Sequence, residues 1–200
     1  GFGERLVIPL LDELNERYPD IVLDLSLTDA VSNLGRDDVD IAIRGGYAPN
    51  ERVQAVRLLN NEFIPVAAPR YLEEMGTPAQ ATELTKHRGL FYRTPAGPSP
   101  WLSIINGEWR NVAGIPVAVS DHSKWLASQA LAGRGIMMAP RWSIVEYLNN
   151  GTLQELFFDT PLRVSQNAEM AIYLLYQKQQ YIVPKVKVVV DFLVARLQEK

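Results

Sequence analysis

The sequence contains no cysteine among its 200 residues and only two histidines, His87 and His122, which lie far apart. Disulfide bonds and thiolate metal sites are therefore excluded. A G-x-S-x-G motif, a phosphate-binding loop, an H-E-x-x-H motif and a carboxylate–histidine cluster are also missing. Two bare G-x-G pieces, Gly1-Phe2-Gly3 and Gly133-Arg134-Gly135, do not continue to a third glycine, so dinucleotide binding is unsupported. These absences predict a protein that is not an enzyme and holds neither a metal nor a cofactor.

Long hydrophobic runs and an excess of basic residues are missing as well. No apolar run approaches the roughly 18–20 residues of a membrane span, so we expect no membrane association. Acidic residues outnumber basic ones, and the formal net charge is −3. A domain whose main task is gripping a phosphate backbone is normally basic, so we do not expect this chain to bind DNA by itself.

The composition that remains is that of an ordinary globular protein, with 47% hydrophobic and 22% charged residues. Apolar residues follow a helical period from Leu6 to Tyr18 and from Val186 to Leu197, and residues 21–27 alternate as a strand does. Short apolar runs and helical stretches then alternate along the chain. This order favours α/β units with parallel sheets, and the irregular, proline-rich middle favours two small lobes over one wide sheet.

The segment DDVDIAIRGG, from Asp37 to Gly46, is typical of a short buried strand that stops abruptly at Arg44. Gly45 and Gly46 would let the chain turn sharply after the strand. Arg44 would then lie at the carboxyl edge of the sheet. Contact with a ligand and simple exposure at the rim are both open for this arginine.

Other polar residues also lie where a strand ends or a helix begins. Ser120 to His122 separate a predicted strand from a predicted helix, and Arg93 and Thr94 follow another predicted strand. Ligands of parallel α/β sheets collect at the carboxyl ends of strands, where helix amides point outward. Amides, hydroxyls and arginines together suit a small anion. Helix capping is the alternative for Ser120 to His122, and a solvated sheet edge is the alternative for the arginines.

Five segments in order resemble one known family. They are ERLVIPLLDELNERYPDIVLDLSLTD (residues 4–29), DDVDIAIRGG (37–46), VAAPRYLEEMGTP (66–78), LAGRGIMMAPRWSIVEYLNNGTLQELF (131–157) and VVVDFLVARL (188–197). Together they resemble the effector-binding domain of bacterial LysR-type transcriptional regulators, nearer the glycine-cleavage-activator-like branch. Each segment is only moderately specific, but five in register span nearly the whole chain.

The resemblance implies an α/β fold of two Rossmann-like lobes joined by two crossover strands, like a type 2 periplasmic binding protein. Lobe I would comprise residues 1–66 and 177–200, and lobe II residues 67–176. The family's N-terminal winged helix-turn-helix domain and the first strand of lobe I are absent from this sequence, which opens at Gly1 without a methionine and is expected to be a fragment or processed product.

The resemblance also implies where an effector would bind, namely in the cleft between the two lobes. The matching positions are Gly1, Phe2, Gly3, Thr28, Asp29, Arg44, Ala68, Pro69, Arg93, Thr94, Ser120, Asp121 and His122. The segment before the first helix usually offers a hydroxyl to the effector in this family, and Gly1-Phe2-Gly3 offers none. Arg44 and Arg93 favour a carboxylate effector.

The partners that the resemblance implies are a small-molecule effector, a second copy of the chain, and DNA through the absent N-terminal domain only. A homodimer is expected, within a tetramer of the full-length protein, in which the helix at 5–18 and the strand at 21–27 of one subunit pack antiparallel against lobe II of another. The protein would be cytoplasmic. The alternative function is that of a periplasmic-type solute-binding protein of a transporter, which has the same two-lobed architecture.

Overall fold

The computed structural model describes residues 1–28, 39–46, 53–167 and 170–198. A π-helical turn lies at Gly3–Val7, and 3-10 turns lie at Ala81–Lys86 and Gln180–Ile182. The α-helices are α1 (Ile8–Arg17), α2 (Pro69–Met75), α3 (Ser123–Leu131), α4 (Arg141–Asn149) and α5 (Pro184–Gln198). The strands are β1 (Ile41–Gly46), β2 (Gln54–Asn60), β3 (Phe63–Ala67), β4 (Arg88–Thr94), β5 (Gly97–Pro98), β6 (Leu102–Ile105), β7 (Glu108–Asn111), β8 (Ile115–Ser120), β9 (Ile136–Pro140), β10 (Gln154–Glu155), β11 (Leu162–Arg163) and β12 (Ala171–Tyr176).

The chain forms two compact units, and the first, unit 1, comprises Gly1–Asn61 with Glu169–Lys200. In its sheet β12 lies between β1 and β2 and is antiparallel to both. Leu10 and Leu14, one turn apart on α1, are buried in the same apolar cluster as Leu174 of β12 and Leu193 of α5. The two helices therefore share one core with the middle strand of the sheet.

The second unit, unit 2, comprises Glu62–Ala168. Its main sheet has the order β10-β3-β9-β4-β5, and β8 also pairs with β4. β4 is parallel to both β8 and β9, whereas β3 is antiparallel to β9 and β10. Leu126 and Ala130 of α3 are buried in one cluster with Leu90, while Tyr71 and Trp101 belong to another. A separate antiparallel sheet has the order β11-β6-β7.

The predicted helices at both ends of the chain are confirmed, as is the helix predicted to follow His122, which is α3. Pro9 lies in the first turn of α1, directly after the π-helical turn. Pro184 is the first residue of α5, where no helical amide is lost. The strand predicted from DDVDIAIRGG is confirmed as β1. It runs two residues further than expected, because Gly45 and Gly46 still pair with Ile172 and Ala171 of β12.

Two expectations about strands were wrong. Residues 21–27 are described but form no strand, and their apolar side chains Val22, Leu25 and Leu27 are 94%, 47% and 47% exposed. Parallel sheets were expected, yet among the described strands only the pairs β4 with β8 and β4 with β9 are parallel. The sequence also predicts a short helix from Thr28 to Leu34, and apart from Thr28 this segment falls outside the described residues.

The two units divide the chain at other residues than the expected lobes, whose bounds stay a prediction. The predicted lobe I ended at residue 66, but β3 pairs with β9 and β10 and so belongs to unit 2. The predicted lobe II extended to residue 176, but β12 pairs along its length with β1 and β2 and so belongs to unit 1. In both places a strand belongs to the unit of the strands that it pairs with. Its own residues do not specify these neighbours.

Candidate functional site

The carboxyl ends of three strands meet at one edge of the main sheet of unit 2. Tyr92 of β4 lies opposite Ser120 of the parallel strand β8, so the residues that follow each of them emerge side by side. β9 is parallel to β4 and ends at Pro140, where α4 begins. We call this edge, with the starts of α3 and α4, the carboxyl edge of unit 2. It is the place where open α/β sheets bind ligands.

Ser120 and His122 build the start of α3 at this edge. The backbone N–H of His122 donates to Ser120 Oγ at 3.0 Å, and the N–H of Trp125 donates to His122 Nδ1 at 3.1 Å. His122 is therefore the N-cap of α3, as the capping alternative expected, whereas the Ser120 hydroxyl supports the turn that precedes the helix. Capping fixes the first turn of α3, and the remaining amides of that turn point outward. Asp121 is exposed at the same edge.

Arg93 and Thr94 occupy the end of β4 and the start of a tight hairpin to β5. The hydroxyl of Thr94 donates to the Gly97 carbonyl at 2.9 Å and accepts from the Ala96 amide at 3.2 Å. That hydroxyl is thus committed to the turn. Arg93 is exposed, and its side chain has no ion pair or hydrogen bond among the described residues. It is the cation that this edge offers to a ligand.

Ala68 and Pro69 do not belong to this edge, although the resemblance grouped them with the other positions. β3 is antiparallel to β9, so Val66 lies opposite Met137, near the amino end of β9. Ala68 and Pro69 therefore follow β3 at the opposite edge of the sheet, where they start α2. The Ala68 carbonyl accepts from the amides of Tyr71 and Leu72, and its side chain is buried in the core.

The remaining predicted positions lie in unit 1. Gly3 opens the first helical turn against the segment that contains Thr28, because a Cβ at Gly3 would lie 2.5 Å from Leu27 Cδ2. Phe2 packs against the core of unit 1, and Gly1 is exposed. Arg44 is an exposed side chain within β1, opposite Tyr173. Asp29 lies outside the described residues.

Sequence reasoning did not include the start of α4 in the site, although it lies at the carboxyl edge of unit 2. The Arg141 Nε donates to Glu62 Oε2 at 3.0 Å, and its terminal nitrogen donates to Glu155 Oε1 at 2.7 Å. Both hydrogen bonds raise the pKa of Arg141 further above its already high usual value. The sequence pattern that could have indicated this position is the strand, proline and helix start at Ile136–Arg141. Because the Arg141 guanidinium is already paired, it has less capacity to bind a ligand.

One buried polar pair lies away from this edge. The Arg88 amide donates to the Tyr71 hydroxyl oxygen at 2.9 Å, and the Tyr71 hydroxyl lies 3.2 Å from His87 Nδ1. Because the tyrosine oxygen already accepts, its hydrogen is available to the unprotonated Nδ1. Burial lowers the pKa of His87, which the carboxylate of Glu83 partly opposes. Burial also raises the pKa of Tyr71, so the neutral pair is the stable form.

Within the described ranges, no group of three or more histidine, aspartate or glutamate side chains is placed to hold a metal ion. No helix in the described part of the chain is long and apolar enough to cross a membrane. The chemistry that the carboxyl edge of unit 2 offers is thus one free guanidinium, a capped helix start and hydroxyl groups. These groups can hold a small ligand, and they include no paired nucleophile and base.

Two α/β units, of which the first is built from both ends of the chain and the second from its continuous middle, define a ligand-binding domain like a type 2 periplasmic binding protein. The sequence matches the family described as the LysR substrate binding domain over residues 1–198. The chain belongs to this family, which confirms the expected effector-binding domain of a LysR-type transcriptional regulator and the expectation that it is not an enzyme. The placement in the glycine-cleavage-activator-like branch stays a prediction.

Known relatives are similar over the whole chain. The HTH-type transcriptional activator TtdR of Escherichia coli (strain K12) is 28% identical over 201 residues, which cover 100% of this chain and 63% of the relative. The HTH-type transcriptional regulator CrgA of Neisseria meningitidis serogroup C is 29% identical over 200 residues, or 96% of this chain and 63% of the relative. The chain thus spans less than two thirds of these regulators. They are not transporters, so the solute-binding alternative is not favoured.

Solved structures show the same fold. The structure of CrgA from Neisseria meningitidis aligns with a TM-score of 0.83 and 26% identity, and the alignment covers 98% of this chain and 65% of that one. The regulatory domain of AphB in Vibrio vulnificus aligns with a TM-score of 0.78 and 24% identity, covering 98% and 94% of the two chains.

Proposed function

We propose that the chain senses a small carboxylate, which binds at the carboxyl edge of unit 2. The observation that carries this proposal is the parallel pairing of β4 with β8, which brings Arg93 beside the capped start of α3. A carboxylate there meets a guanidinium with no competing ion pair among the described residues and the positive end of a helix. The exposed carboxylate of Asp121 disfavours ligands with several negative charges.

The DNA-binding part of the protein lies outside this chain in our proposal. The chain is acidic overall and spans 63% of its HTH-type relatives. Effector binding would shift the population of two arrangements of the regulator and so alter how the attached domains sit on an operator. Such a regulator acts on chromosomal DNA and is accordingly cytoplasmic.

A second copy of the chain is the further partner that we propose. The segment after α1 exposes three large apolar side chains, Val22, Leu25 and Leu27. Unit 2 also exposes large apolar side chains on its edge strand β8, where Ile115 and Val117 are 58% and 48% exposed. Exposed apolar groups of this kind on two surfaces are typical of protein interfaces. A dimer with antiparallel subunits would bring each surface against the other unit of its partner.

A thermal-shift screen of small carboxylates with this chain tests the effector proposal. A ligand at about 100 times its dissociation constant adds about 2.7 kcal/mol of stability, which is easily measured. An Arg93→Gln variant should bind the hit about tenfold more weakly, because a charge-assisted hydrogen bond is lost. Arg110→Gln is the matched control, since Arg110 is an exposed arginine of unit 2 that pairs with Glu108 on a different sheet. Equal affinity of the Arg93 and Arg110 variants would contradict the proposed site.

A further inference from the structure

The chain contains two Asn-Gly pairs, Asn106-Gly107 and Asn150-Gly151, and both lie in turns of unit 2. An asparagine before a glycine can react with its own backbone, because the glycine has no Cβ to shield its amide nitrogen from the asparagine side chain. The two pairs share this chemistry but differ in their surroundings. The difference decides which asparagine reacts in the folded chain.

Asn106 and Gly107 form the tip of the hairpin that joins β6 to β7. Ile105 pairs with Glu108, so the loop consists of these two residues alone. Asn106 has a φ of +53° and Gly107 a φ of +80°, as a type I′ turn requires. Asn-Gly is a pair that this turn favours, so the geometry of the hairpin itself accounts for a reactive sequence at its tip.

The hairpin tip is open and lightly held. Asn106 and Gly107 are both exposed, and a Cβ at Gly107 would meet nothing within 4 Å. Neither the Asn106 side chain nor the Gly107 amide has a hydrogen-bond partner among the described residues. The strand β7 lies at the end of the order β11-β6-β7, so only β6 pairs with it. Local opening at such a position costs little free energy.

The turn at Asn150-Gly151, which follows α4, is held by its neighbours. The Gly151 amide donates to the Leu148 carbonyl at 3.2 Å. The Asn150 Oδ1 accepts from the Thr152 amide at 3.0 Å and from the Thr152 hydroxyl at 2.6 Å. The amide nitrogen and the side chain that would have to meet are therefore both engaged, and their hydrogen bonds must break before they can react.

We propose that Asn106 is a modification site, at which the folded chain converts spontaneously to aspartate and isoaspartate. The Gly107 amide nitrogen loses its proton to hydroxide and attacks the Asn106 Cγ. The new C–N bond closes a succinimide ring, the bond from Cγ to the side-chain nitrogen breaks, and ammonia leaves. Water then opens the ring at one carbonyl to give aspartate or at the other to give isoaspartate. The reaction consumes only water and needs no cofactor.

The isoaspartate product changes the hairpin. It adds a carbon atom to the backbone of the turn, which no longer matches the register of β6 and β7. Trp109 of β7, whose ring centre lies 5.6 Å from the Arg163 guanidinium carbon, should then lose this contact. The hairpin belongs to a different sheet from the carboxyl edge of unit 2, so the modification does not depend on the proposed function.

The test is peptide mass spectrometry of the whole chain after incubation at mildly alkaline pH in water enriched in heavy oxygen, since each product takes one oxygen from water. In the folded chain, Asn106 should react about tenfold faster than Asn150, because the hydrogen bonds at Asn150 must break first. In urea the two asparagines should react at similar rates. Fragmentation that separates aspartate from isoaspartate should find both products at Asn106.

Two outcomes would overturn this proposal. One is equal rates at Asn106 and Asn150 in the folded chain. The other is an Asn106 that reacts in urea but stays unchanged in the folded chain, which would show that the turn protects it.

Asn106→Asp is the matched control for the change in the hairpin, since Asp-Gly also suits a type I′ turn and adds the charge without the extra backbone atom. Its urea midpoint and tryptophan fluorescence should match those of the original chain. The isoaspartate form, separated by chromatography, should unfold at a lower urea concentration than Asn106→Asp. Equal midpoints for these two forms would contradict the loss of register.

Discussion

His87 and His122 differ in their surroundings, and the difference predicts different roles for two chemically identical side chains. His87 is 7% exposed and faces the Tyr71 hydroxyl, with the Glu83 carboxylate nearby. His122 lies at the surface and accepts a backbone hydrogen bond. We therefore expect His87 to make the stability of the core depend on pH, and His122 to stabilise the start of α3.

Replacement of His87 should flatten the acid dependence of stability. Burial lowers the pKa of His87 below its ordinary value of 6.5 in the folded protein, so the unfolded chain binds more protons in the interval between the two values. This contribution is complete above about pH 6.5 and is lost as the pH falls below it. A His87→Gln protein, which keeps an acceptor for Tyr71, should lose stability less steeply from about pH 7 to pH 5.

The measurement is the urea midpoint as a function of pH at constant ionic strength. Tryptophan fluorescence reports on unit 2 alone, because Trp101, Trp109, Trp125 and Trp142 all lie within it. A His122→Asn protein is the control and should retain the steep decline that His87 causes. Parallel pH profiles for the original chain and His87→Gln would show that the buried pair does not couple to acid.

The His122 cap gives a second prediction. His122→Ala removes the acceptor for the Trp125 amide and should cost about 0.5–2 kcal/mol of unfolding free energy. His122→Asn should cost less, since asparagine is a good N-cap residue. Urea unfolding at one fixed pH measures these losses. Equal losses for both variants would mean that the ring contributes through something other than its Nδ1.

The start of α4 is joined to two strands through one side chain. Arg141 bonds to Glu62, just before β3, and to Glu155 of β10, whose side chain is only 15% exposed. The Arg141 amide also donates to the Glu62 carbonyl at 2.9 Å. This arrangement fixes one border of unit 2 through a helix and two strands that are distant in sequence.

Arg141→Ala should lower the stability of unit 2 by about 1–2 kcal/mol, a range reduced for the partial exposure of the guanidinium. The stability of an Arg141→Lys protein should lie between those of the original chain and Arg141→Ala, because an ammonium group cannot bridge both carboxylates in the same geometry. Arg110→Ala, which removes a pair exposed on both sides, should change stability by less than about 0.5 kcal/mol. A double-mutant cycle with Glu155→Gln measures the coupling, and additive losses would contradict it.

Periodicity in the sequence predicted the helices well, because apolar spacing and proline position are local properties. It predicted pairing directions poorly. The antiparallel direction of β3 depends on where β9 lies, and this alone moved Ala68 and Pro69 away from the carboxyl edge. β6 was missed because Leu102–Ile105 is short and follows a proline-rich stretch. Arg93 and the capped helix start could be predicted from residue order, whereas the pairing of Arg141 with Glu62 and Glu155 depends on contacts between distant segments.

Self-association of the chain is the property most sensitive to the exposed segment after α1. Val22→Asp and Leu25→Asp should each raise the dimer dissociation constant at least about tenfold, because a two-fold dimer buries every such side chain twice. Both should fold normally, since the side chains are exposed in the single chain. Ile182→Asp is the matched control, as Ile182 is 82% exposed elsewhere in unit 1.

Sedimentation velocity over a range of protein concentrations measures these constants. A Leu25→Asp chain that associates as strongly as Ile182→Asp would exclude the segment at 21–27 from the interface. Retention of the helical circular-dichroism signal in each variant ensures that weaker association is not a consequence of unfolding.

The position of β12 in the middle of the unit 1 sheet has a consequence for the order in which the polypeptide folds as it is made. Unit 2 is one continuous stretch that is complete before β12 is synthesised. β1 and β2 are made early, yet β12 is the strand with which both of them pair. At about 5–20 residues per second, β1 and β2 remain without their partner strand for roughly 5–20 seconds during translation. We therefore expect unit 2 to fold first, and the early strands to be the segments that most need protection from aggregation during translation.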